Sequence, residues 1–421
     1  MTRFAPAGPL RGSLRPPSDK SISHRAALIA AMGDGETAIA GYLDAADTNS
    51  TLGAVRALGA EASPESVAGV GLRGPRPAAI DVGNAGTLLR LLPGWLAGQE
   101  VGEWTLDGDA SIRRRPVDRV ATPLREMGAE LSCREGRLPP LQVRGAPLRG
   151  IEYELPVASA QVKSCLLFAG LLADGPTTIV EPLPTRDHSE RMLSAAGARI
   201  ERDEGRVTVH PAERLEPGRI DVPADISSAA FFVVAALLVG GSEVVLEEIG
   251  VNPTRTGLLT ILERMGAEVE IEPQGERGGE PTARLTVRSA PLTGTEVGGA
   301  EVPLAIDELP LVALAACFAE GTTTIRDAAE LRRKESDRIA TVTTALTALG
   351  GRVEPTEDGM VVEGPGGLRG GAIDSHGDHR IAMLGAVAGL ASREGVEVAG
   401  MDAAAVSYPG FESDLASLLC T

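Results

Sequence analysis

Aromatic side chains and positive charge are both scarce in this chain of 421 residues. Aromatic residues make up 3% of it, too few to build a stacking platform for single-stranded nucleic acid. Lysine and arginine number 40 against 58 aspartates and glutamates, so the formal net charge is −18. Such an acidic chain repels nucleic acid and anionic membranes on average. We therefore expect neither as a partner, and any anion site must gather cations locally.

Cysteine is also scarce, and the four cysteines lie far apart in the sequence. None has the CxxC spacing of a zinc site, and no disulfide framework is indicated, which favours a reducing cytosol. The N-terminus lacks the charged-then-apolar pattern of a signal peptide, and no apolar run reaches the length of a membrane span. We expect a cytoplasmic protein.

Glycine, in contrast, is abundant and punctuates an internal repeat. A glycine followed by a β-favouring run of Thr, Val and Ile recurs roughly every 65 to 80 residues, which indicates an array of similar units. The six copies begin at Gly35, Gly102, Gly175, Gly241, Gly321 and Gly395. Five predicted helices end in a glycine that suits a left-handed C-cap, namely Gly59, Gly128, Gly197, Gly266 and Gly350. The pattern predicts six α/β units.

The length and the repeat together predict two domains of similar α/β build. The midpoint of the repeat falls near residues 222–224, and Pro16 and Pro17 mark a second break. We assign residues 1–17 and 224–421 to one domain and residues 18–223 to the other. Two crossings between domains predict a cleft, which is the usual place for a ligand.

The densest group of cations and hydroxyls lies in residues 18–25. A serine-rich break before an alanine run predicts the start of a helix. The N–H groups and the dipole at a helix N-terminus favour an anion, and Lys20 and Arg25 add full charges. The segment predicts a phosphate or carboxylate site, with a capped surface helix and incidental cations as the alternative.

Three more segments place small, polar or cationic residues where an anion could bind. Residues 83–87 are rich in small residues before an apolar run, so a ligand could approach backbone N–H groups, although a plain glycine turn has the same pattern. Residues 113–115 are three arginines. One of them pointing into a cleft would be enough for an anion site, and the alternative is a solvated loop. Residues 159–164 open another predicted helix with polar side chains.

Three further segments fit either a site or a purely structural role. Residues 185–190 could form only a capping box. Residues 332–338 alternate cations and carboxylates, which is also the pattern of i,i+4 pairs on a solvated helix. Residues 376–380 hold two histidines and an aspartate, a combination that can bind a metal. No further His/Cys pair lies nearby and Arg380 would repel a cation, so we expect no metal.

Together these segments resemble the enolpyruvyl transferase family along nearly the whole chain. The matching segments are residues 19–25, 83–87, 115–116, 159–164, 307, 334–338 and 378–380. The resemblance implies an α/β (α+β) fold of two similar domains, each of three βαβαββ units in an inside-out α/β barrel, with a cleft at a double hinge. It implies no cofactor. We expect a monomer, because two domains already form the cleft.

The resemblance is to the branch of the family that acts on shikimate 3-phosphate. It implies transfer of the enolpyruvyl group of phosphoenolpyruvate to the 5-hydroxyl of that substrate, a step of the shikimate pathway to chorismate. The implied shikimate 3-phosphate contacts are Lys20, Ser21, Arg25, Ser159, Gln161, Asp307 and Lys334. The implied phosphoenolpyruvate contacts are Lys20, Gly86, Arg115, Gln161, Arg338 and Arg380, and weaker candidates are Arg186 and His379.

The implied chemistry is addition and then elimination through a tetrahedral intermediate. Asp307 corresponds to the base for the hydroxyl, and Glu335 is a candidate acid and later base, with Lys20 also able to move protons. In the family the herbicide glyphosate competes for the phosphoenolpyruvate pocket beside the residue at position 86. The resemblance therefore implies inhibition by glyphosate.

The chain departs from the pattern of the family in three places. Ser407, Tyr408 and Pro409 occupy the region where some members have a lysine near the C-terminus, Ala160 lies where many have serine, and Glu330 lies where some have asparagine. The alternatives are the sister enzyme that acts on UDP-N-acetylglucosamine and a non-catalytic paralogue. The sister enzyme usually has a Lys-Asn pair where this chain has Lys20 and Ser21, and a paralogue would lose the acid–base residues, which are present here.

Overall fold

The computed structural model describes residues 1–419 and divides into two compact units. The terminal unit comprises Met1–Pro17, Pro223–Glu276 and the chain from Pro281 onward, and the central unit comprises Ser18–Val222 with Arg277–Glu280. The sequence predicts boundaries after residues 17 and 223. The structure divides the chain after Pro17 and Val222 and adds Arg277–Glu280 to the central unit.

Short strands and helices alternate along the whole described chain. The strands are β1 Thr2–Phe4, β2 Arg11–Leu14, β3 Glu36–Ala40, β4 Glu61–Ala62, β5 Ser66–Ala68, β6 Ala78–Asp81, β7 Glu103–Asp107, β8 Glu130–Arg134, β9 Leu138–Arg144, β10 Glu152–Glu154, β11 Thr177–Val180, β12 Ile200–Asp203, β13 Arg206–Val209, β14 Arg219–Asp221, β15 Glu243–Gly250, β16 Val269–Arg277, β17 Glu280–Arg288, β18 Glu296–Val297, β19 Glu320–Ile325, β20 Arg352–Pro355, β21 Met360–Pro365, β22 Gly371–Asp374 and β23 Val396–Ala399. The α-helices are α1 Lys20–Met32, α2 Ala46–Ala57, α3 Gly86–Ala97, α4 Asp118–Glu126, α5 Ala160–Gly170, α6 His188–Ala195, α7 Ile226–Leu238, α8 Gly257–Arg264, α9 Val302–Ala305, α10 Leu309–Ala316, α11 Arg338–Ala348, α12 His379–Ala391 and α13 Phe411–Ser417. Short 3₁₀ helices lie at Ile112–Arg114, Gly299–Glu301, Ala329–Arg333 and Met401–Val406.

Each unit contains three small sheets built on one plan. The sheets of the central unit have the strand orders β14-β3-β5-β4, β6-β7-β9-β8 and β10-β11-β13-β12. Those of the terminal unit have the orders β2-β15-β17-β16, β18-β19-β21-β20 and β22-β23-β1. The first two strands of each order are parallel, and the second and third are antiparallel. The fold class predicted from the sequence is therefore confirmed.

The repeated glycines precede strands and end helices, as the sequence pattern predicts. The six repeated runs form β3, β7, β11, β15, β19 and β23, each the second strand of its sheet. The five predicted helix-ending glycines have φ between +93° and +105°, in the region where a side chain would be strained. Local sequence thus specifies six strands and five helix ends of the repeat.

Three helices in each unit are buried on nearly all sides. They are α1, α3 and α5 in the central unit and α7, α10 and α12 in the terminal unit. Small residues allow their close approach, because a Cβ at Gly94 of α3 would collide with the carbonyl oxygen of Cys165 in α5. Among residues 1–419, no helix combines the length and the apolar composition that crossing a membrane requires.

Candidate active-site residues in each unit

Three of the predicted anion segments of the central unit lie at the starts of its buried helices. The Asp19 carboxylate accepts a hydrogen bond from the N–H of Ile22 at 2.8 Å and caps α1. The Ser159 hydroxyl accepts one from the N–H of Val162 at 3.4 Å and caps α5, while α3 begins at Gly86 without a side-chain cap. These helix starts supply the N–H groups and the dipole that favour an anion.

Two side-chain contacts, one helical turn apart, join α1 to α2 and hold Lys20. Lys20 Nζ donates to Asp47 Oδ2 at 3.0 Å, and one turn further along both helices His24 Nδ1 lies 2.6 Å from Thr51 Oγ1. Burial lowers the pKa of His24 to about 3, so its ring is neutral at pH 7. These two contacts therefore position the ammonium of Lys20 without adding a second positive charge at His24.

Arg25 is almost fully buried, and neutral oxygens hold its guanidinium. Its Nε donates to Ser189 Oγ at 2.7 Å, its Nη1 to the carbonyl of Ser21 at 2.9 Å and its Nη2 to Ser164 Oγ at 2.9 Å. Burial, followed by the charge of Arg186, lowers the pKa of Arg25 to about 10. Arg25 thus remains a cation at pH 7, and the charge of Arg186 acts on it.

A buried ion cluster supports the helices that carry Ser164 and Ser189. Lys163 Nζ lies 2.9 Å from Glu181 Oε2 and 2.7 Å from Glu190 Oε1, and the Lys163 and Glu190 side chains are each 1% exposed. Sequence reasoning missed this cluster, because the residues that pair with Lys163 are 18 and 27 positions away. A lysine in an otherwise apolar helix was the one available signal.

Gly86 lies against two arginines of the central unit. A Cβ at this position would be 2.7 Å from Arg115 Nη1 and 3.3 Å from Arg90 Nη1. Arg115 Nη2 also donates to Asn84 Oδ1 at 2.9 Å, and Arg90 Nη1 donates to Gln161 Oε1 at 3.1 Å. The structure thus brings together Gly86, Arg115 and Gln161. It adds Arg90, which lies inside a leucine run and is not among the site residues predicted from the sequence.

Only one member of the arginine row at positions 113–115 is buried. Arg113 and Arg114 are exposed, and the Arg113 side chain pairs with Asp107 at 2.7 Å. Arg115 follows the 3₁₀ helix Ile112–Arg114 and is 7% exposed. The solvated-loop alternative therefore holds for Arg113 and Arg114 and is wrong for Arg115.

The segment 185–190 does not form a capping box. Asp187 is the N-cap of α6 but makes no side-chain cap bond, and the Thr185 hydroxyl donates to Glu181 instead. Asp187, His188 and Glu280 are close enough together to be considered as metal ligands. However, Asp187 pairs with Arg191 at 2.9 Å, and His188 Nδ1 lies at hydrogen-bond distance, 2.7 Å, from Glu280 Oε1. We therefore assign no metal to this group.

The terminal unit surrounds one buried guanidinium with three carboxylates. Arg338 Nε and Nη2 donate to the two oxygens of Asp378 at 2.8 and 3.1 Å. Arg338 also donates to Glu335 Oε2 at 2.6 Å and to Asp307 Oδ1 at 3.4 Å. Although burial alone would lower it, the three carboxylates raise the pKa of Arg338. Burial opposes the shift in Asp378 as well, but the charge of Arg338 holds the pKa of that carboxyl below its usual range.

Asp307 has a second cation beside it. Lys334 Nζ lies 3.0 Å from Asp307 Oδ1. Lys334 and Glu335 precede α11, which begins at Arg338 with Asp337 as its N-cap. Residues 332–338 are therefore not one helix, and the alternative of i,i+4 pairs on a solvated helix is wrong.

Arg380 is the second residue of α12 and contacts the starts of two other buried helices. Its Nη2 donates to Ser227 Oγ at 2.6 Å, and its Nη1 donates to the carbonyl of Asp307 at 3.0 Å. His379 beside it is buried, and its Nδ1 is 4.0 Å from Asp378 Oδ1. Asp378 caps α12 and pairs with Arg338, so its oxygens are engaged within the protein rather than with a metal.

Tyr408, one of the departures from the family pattern, is part of the core. Its ring packs against Phe232 and Phe411, with centroids 5.8 and 5.5 Å apart, and its hydroxyl donates to Asp414 at 2.7 Å. Tyr408 is 2% exposed. It therefore fills hydrophobic volume in the terminal unit.

Comparisons with known proteins agree with this arrangement. A family model described as EPSP synthase (3-phosphoshikimate 1-carboxyvinyltransferase) matches residues 4–415. The chain is 54% identical over 411 residues to the 3-phosphoshikimate 1-carboxyvinyltransferase of Anaeromyxobacter sp., covering 96% of this chain and 95% of that relative. It superposes on the EPSP synthase structure from Acinetobacter baumannii with a TM-score of 0.87 and 41% identity, covering 100% of this chain and 98% of the other.

The fold is that of an enolpyruvyl transferase. The enolpyruvyl transferase NikO from Streptomyces tendae shares it with a TM-score of 0.77 at 18% identity, covering 99% of this chain and 96% of that one. More closely, the chain belongs to the EPSP synthase (3-phosphoshikimate 1-carboxyvinyltransferase) family and is a transferase. The resemblance drawn from the sequence motifs is confirmed.

Proposed function

We propose that this protein transfers the enolpyruvyl group of phosphoenolpyruvate to the 5-hydroxyl of shikimate 3-phosphate and releases inorganic phosphate. The observation that carries the proposal is Arg25, a buried cation held by neutral oxygens next to Arg186 in a chain of net charge −18. A buried guanidinium that donates its hydrogen bonds to neutral oxygens keeps its charge available for a bound anion. A substrate phosphate supplies that anion.

Shikimate 3-phosphate is assigned to groups that bind phosphate and hydroxyls. The proposed contacts are Lys20, Ser21, Arg25, Ser159 and Gln161, with Arg186 as a further candidate, together with Asp307 and Lys334. The three hydrogen bonds of Arg25 engage three of its five N–H donors, so the same group can still bind a phosphate. A guanidinium fork suits that ligand because it donates parallel hydrogen bonds to two oxygens.

Phosphoenolpyruvate is assigned to Lys20, Gly86, Arg115, Gln161, Arg338 and Arg380. The missing side chain at Gly86 leaves Arg115 Nη1 room close to the backbone at the start of α3. Arg338 and Arg380 are oriented by carboxylates and by Ser227, so they are held before the substrate binds. Preorganised donors of this kind reduce the entropy lost on binding.

The reaction requires a base at the 5-hydroxyl and an acid at the methylene carbon of phosphoenolpyruvate. We assign the base to Asp307, which takes the hydroxyl proton as the oxygen attacks carbon 2 of phosphoenolpyruvate. Glu335 or Lys20 protonates carbon 3. Loss of a proton from carbon 3 and cleavage of the bond to the phosphate oxygen then restore the double bond. Lys334 Nζ, 3.0 Å from Asp307 Oδ1, orients the base, and the reactivity of Asp307 comes from this positioning.

We also propose that the protein acts as a monomer in the cytoplasm. All residues assigned to the two substrates are supplied by one chain. Cys133, Cys165 and Cys317 are free thiols, as expected for a reducing compartment.

Product analysis tests the function directly. The protein is incubated with phosphoenolpyruvate and shikimate 3-phosphate, phosphate release is measured, and proton NMR is used to look for vinyl protons attached through oxygen to carbon 5. We expect equal amounts of phosphate and vinyl ether. Parallel samples contain UDP-N-acetylglucosamine or no acceptor. Phosphate release with the amino-sugar nucleotide alone, or with no acceptor, would contradict the proposal.

A further inference from the structure

Three residues from three different helix starts form one polar cluster in the terminal unit. Ser227 is the second residue of α7, Glu308 immediately precedes α10, and Arg380 is the second residue of α12. These three buried helices pack against one another. Their starts therefore bring together side chains that are 72 to 153 positions apart in sequence.

The contacts among the three residues form a closed ring. Arg380 Nη2 donates to Ser227 Oγ at 2.6 Å, and the Ser227 hydroxyl donates to Glu308 Oε1. Arg380 Nη1 lies 3.4 Å from the same oxygen of Glu308. The hydroxyl of Ser227 thus accepts from the cation and donates to the carboxylate, which fixes the relative orientation of all three groups.

Burial makes this pairing consequential for Glu308. Its side chain is 2% exposed, whereas that of Arg380 is 11% exposed. A buried carboxylate is costly unless a cation and hydrogen bonds compensate it. Glu308 Oε1 receives both contacts of the ring, and among residues 1–419 no hydrogen-bond donor reaches Oε2. The guanidinium of Arg380 is consequently attracted to Oε1 of Glu308.

The same stretch of chain also fixes Arg380 through its backbone. Arg380 Nη1 donates to the carbonyl of Asp307 at 3.0 Å, and Glu308 follows Asp307 directly. The proposed base and the carboxylate of the ring are therefore adjacent residues. A shift of either would move the guanidinium of Arg380.

We propose that Glu308, acting with Ser227, is a positioning residue that orients Arg380 toward the carboxylate of phosphoenolpyruvate. This proposal rests on the proposed function, in which Arg380 binds that substrate. Glu308 serves recognition of phosphoenolpyruvate and not of shikimate 3-phosphate, since its ring contains none of the groups assigned to the second substrate. Its loss should therefore affect the two substrates unequally.

The test compares Glu308→Gln with wild type. Glutamine keeps the shape and the acceptor oxygen for Ser227 but removes the charge that attracts Arg380. We expect the KM for phosphoenolpyruvate to rise about tenfold, with kcat changed less than about threefold, because orientation of one ionic contact is lost. The affinity for shikimate 3-phosphate alone, measured by calorimetry, should stay within about twofold. Glu308→Asp, which retains the charge, should recover part of the KM.

Two further variants keep the test decisive. Glu320→Gln removes an exposed carboxylate of the same unit and should leave both substrates unaffected. Ser227→Ala removes the hydroxyl of the ring and should raise the same KM by a smaller factor, which provides the readout if Glu308→Gln does not fold. An unchanged KM for phosphoenolpyruvate in an active, folded variant would overturn the proposal. Equal weakening of both substrates would overturn it too, whereas an inactive wild type would contradict the proposed function itself.

Discussion

The buried guanidiniums of Arg25 in the central unit and Arg338 in the terminal unit are held by different kinds of partner. Arg25 in the central unit is oriented by two serine hydroxyls and a carbonyl. Arg338 in the terminal unit is oriented by three carboxylates. A neutral acceptor orients a guanidinium and leaves its positive charge in place, whereas a carboxylate orients the guanidinium and also cancels that charge. The same side chain is therefore prepared for different tasks in the two units.

Among the site residues of the terminal unit, the carboxylates balance the positive charges. Lys334, Arg338 and Arg380 face four carboxylates, which belong to Asp307, Glu308, Glu335 and Asp378. The cluster therefore has no surplus positive charge of its own. We infer that the central unit provides most of the attraction for anionic substrates, while the terminal unit provides orientation and proton transfer. Some cations of the central unit do have carboxylate partners, since Lys20 pairs with Asp47 and Lys163 with Glu181 and Glu190.

The largest expected effect comes from removing the proposed base of the terminal unit. Asp307→Asn keeps the shape and an oxygen near Lys334 but cannot take the hydroxyl proton. We expect kcat to fall roughly 10²- to 10⁴-fold in steady-state assays of phosphate release. Asp402→Asn alters an exposed aspartate of the same unit and should be neutral. Near-normal turnover of Asp307→Asn would remove proton transfer from the tasks of the terminal unit.

A smaller effect is expected from crowding the arginines of the central unit. In Gly86→Ala the methyl group would be 2.7 Å from Arg115 Nη1, so that side chain must move. Glyphosate is longer than phosphoenolpyruvate and should lose more from the narrowed space. We expect its inhibition constant, measured in competition with phosphoenolpyruvate, to rise at least about tenfold more than the KM, a difference of about 1.4 kcal/mol.

The control for this variant is another helical glycine of the central unit. A Cβ at Gly53 would meet no atom within 4 Å, so Gly53→Ala should leave both constants unchanged. If Gly86→Ala retained the glyphosate sensitivity of wild type, position 86 would not face the inhibitor.

The smallest effect concerns the neutral histidine beside Lys20. The folded pKa of His24 is about 3, below the 6.5 of an unfolded histidine, so the unfolded chain binds the proton first as the pH falls. The contribution of His24 to stability is therefore complete above pH 6.5 and is lost as the pH falls from 6.5 towards 3. The slope is at most about 1.4 kcal/mol per pH unit.

Urea unfolding between pH 4.5 and 7 measures this slope. Asparagine can keep the contact with Thr51 but cannot bind a proton. His24→Asn should therefore reduce the slope of unfolding free energy against pH by up to about 1.4 kcal/mol per pH unit, the value for one proton. His376→Asn, at an exposed histidine in the left-handed region where asparagine is tolerated, should leave it unchanged. Equal slopes in wild type and His24→Asn would show that His24 is not the group that titrates.

Local sequence was enough to predict the repeat, because each signal acts within a few residues. Gly59 ends α2 through its own left-handed backbone conformation. Asp19 caps the start of α1 by accepting a hydrogen bond from a residue three positions away. The same holds for the motif positions of Lys20 and Gly86 at helix starts. These features could be read directly from residue type and spacing.

The partners of the functional side chains could not be predicted in this way. Lys20 meets Asp47 across 27 positions, and Ser227 meets Glu308 across 81. Tertiary packing of the buried helices creates these pairs, and no local pattern specifies them. The arginine row shows the same limit, since only packing decides that Arg115 is buried and Arg113 is not. The difference between neutral and charged partners was therefore visible only in the structure.

Binding of shikimate 3-phosphate without phosphoenolpyruvate tests the central claim most directly, because no chemistry occurs. Calorimetry is performed on wild type, Arg25→Gln and Asp307→Asn, with circular dichroism to confirm that each is folded. We expect Arg25→Gln to weaken binding about 100-fold or more, because a buried phosphate partner is lost, and Asp307→Asn to bind within about threefold of wild type. Strong binding by Arg25→Gln together with a large loss in Asp307→Asn would contradict the division of tasks between the two units.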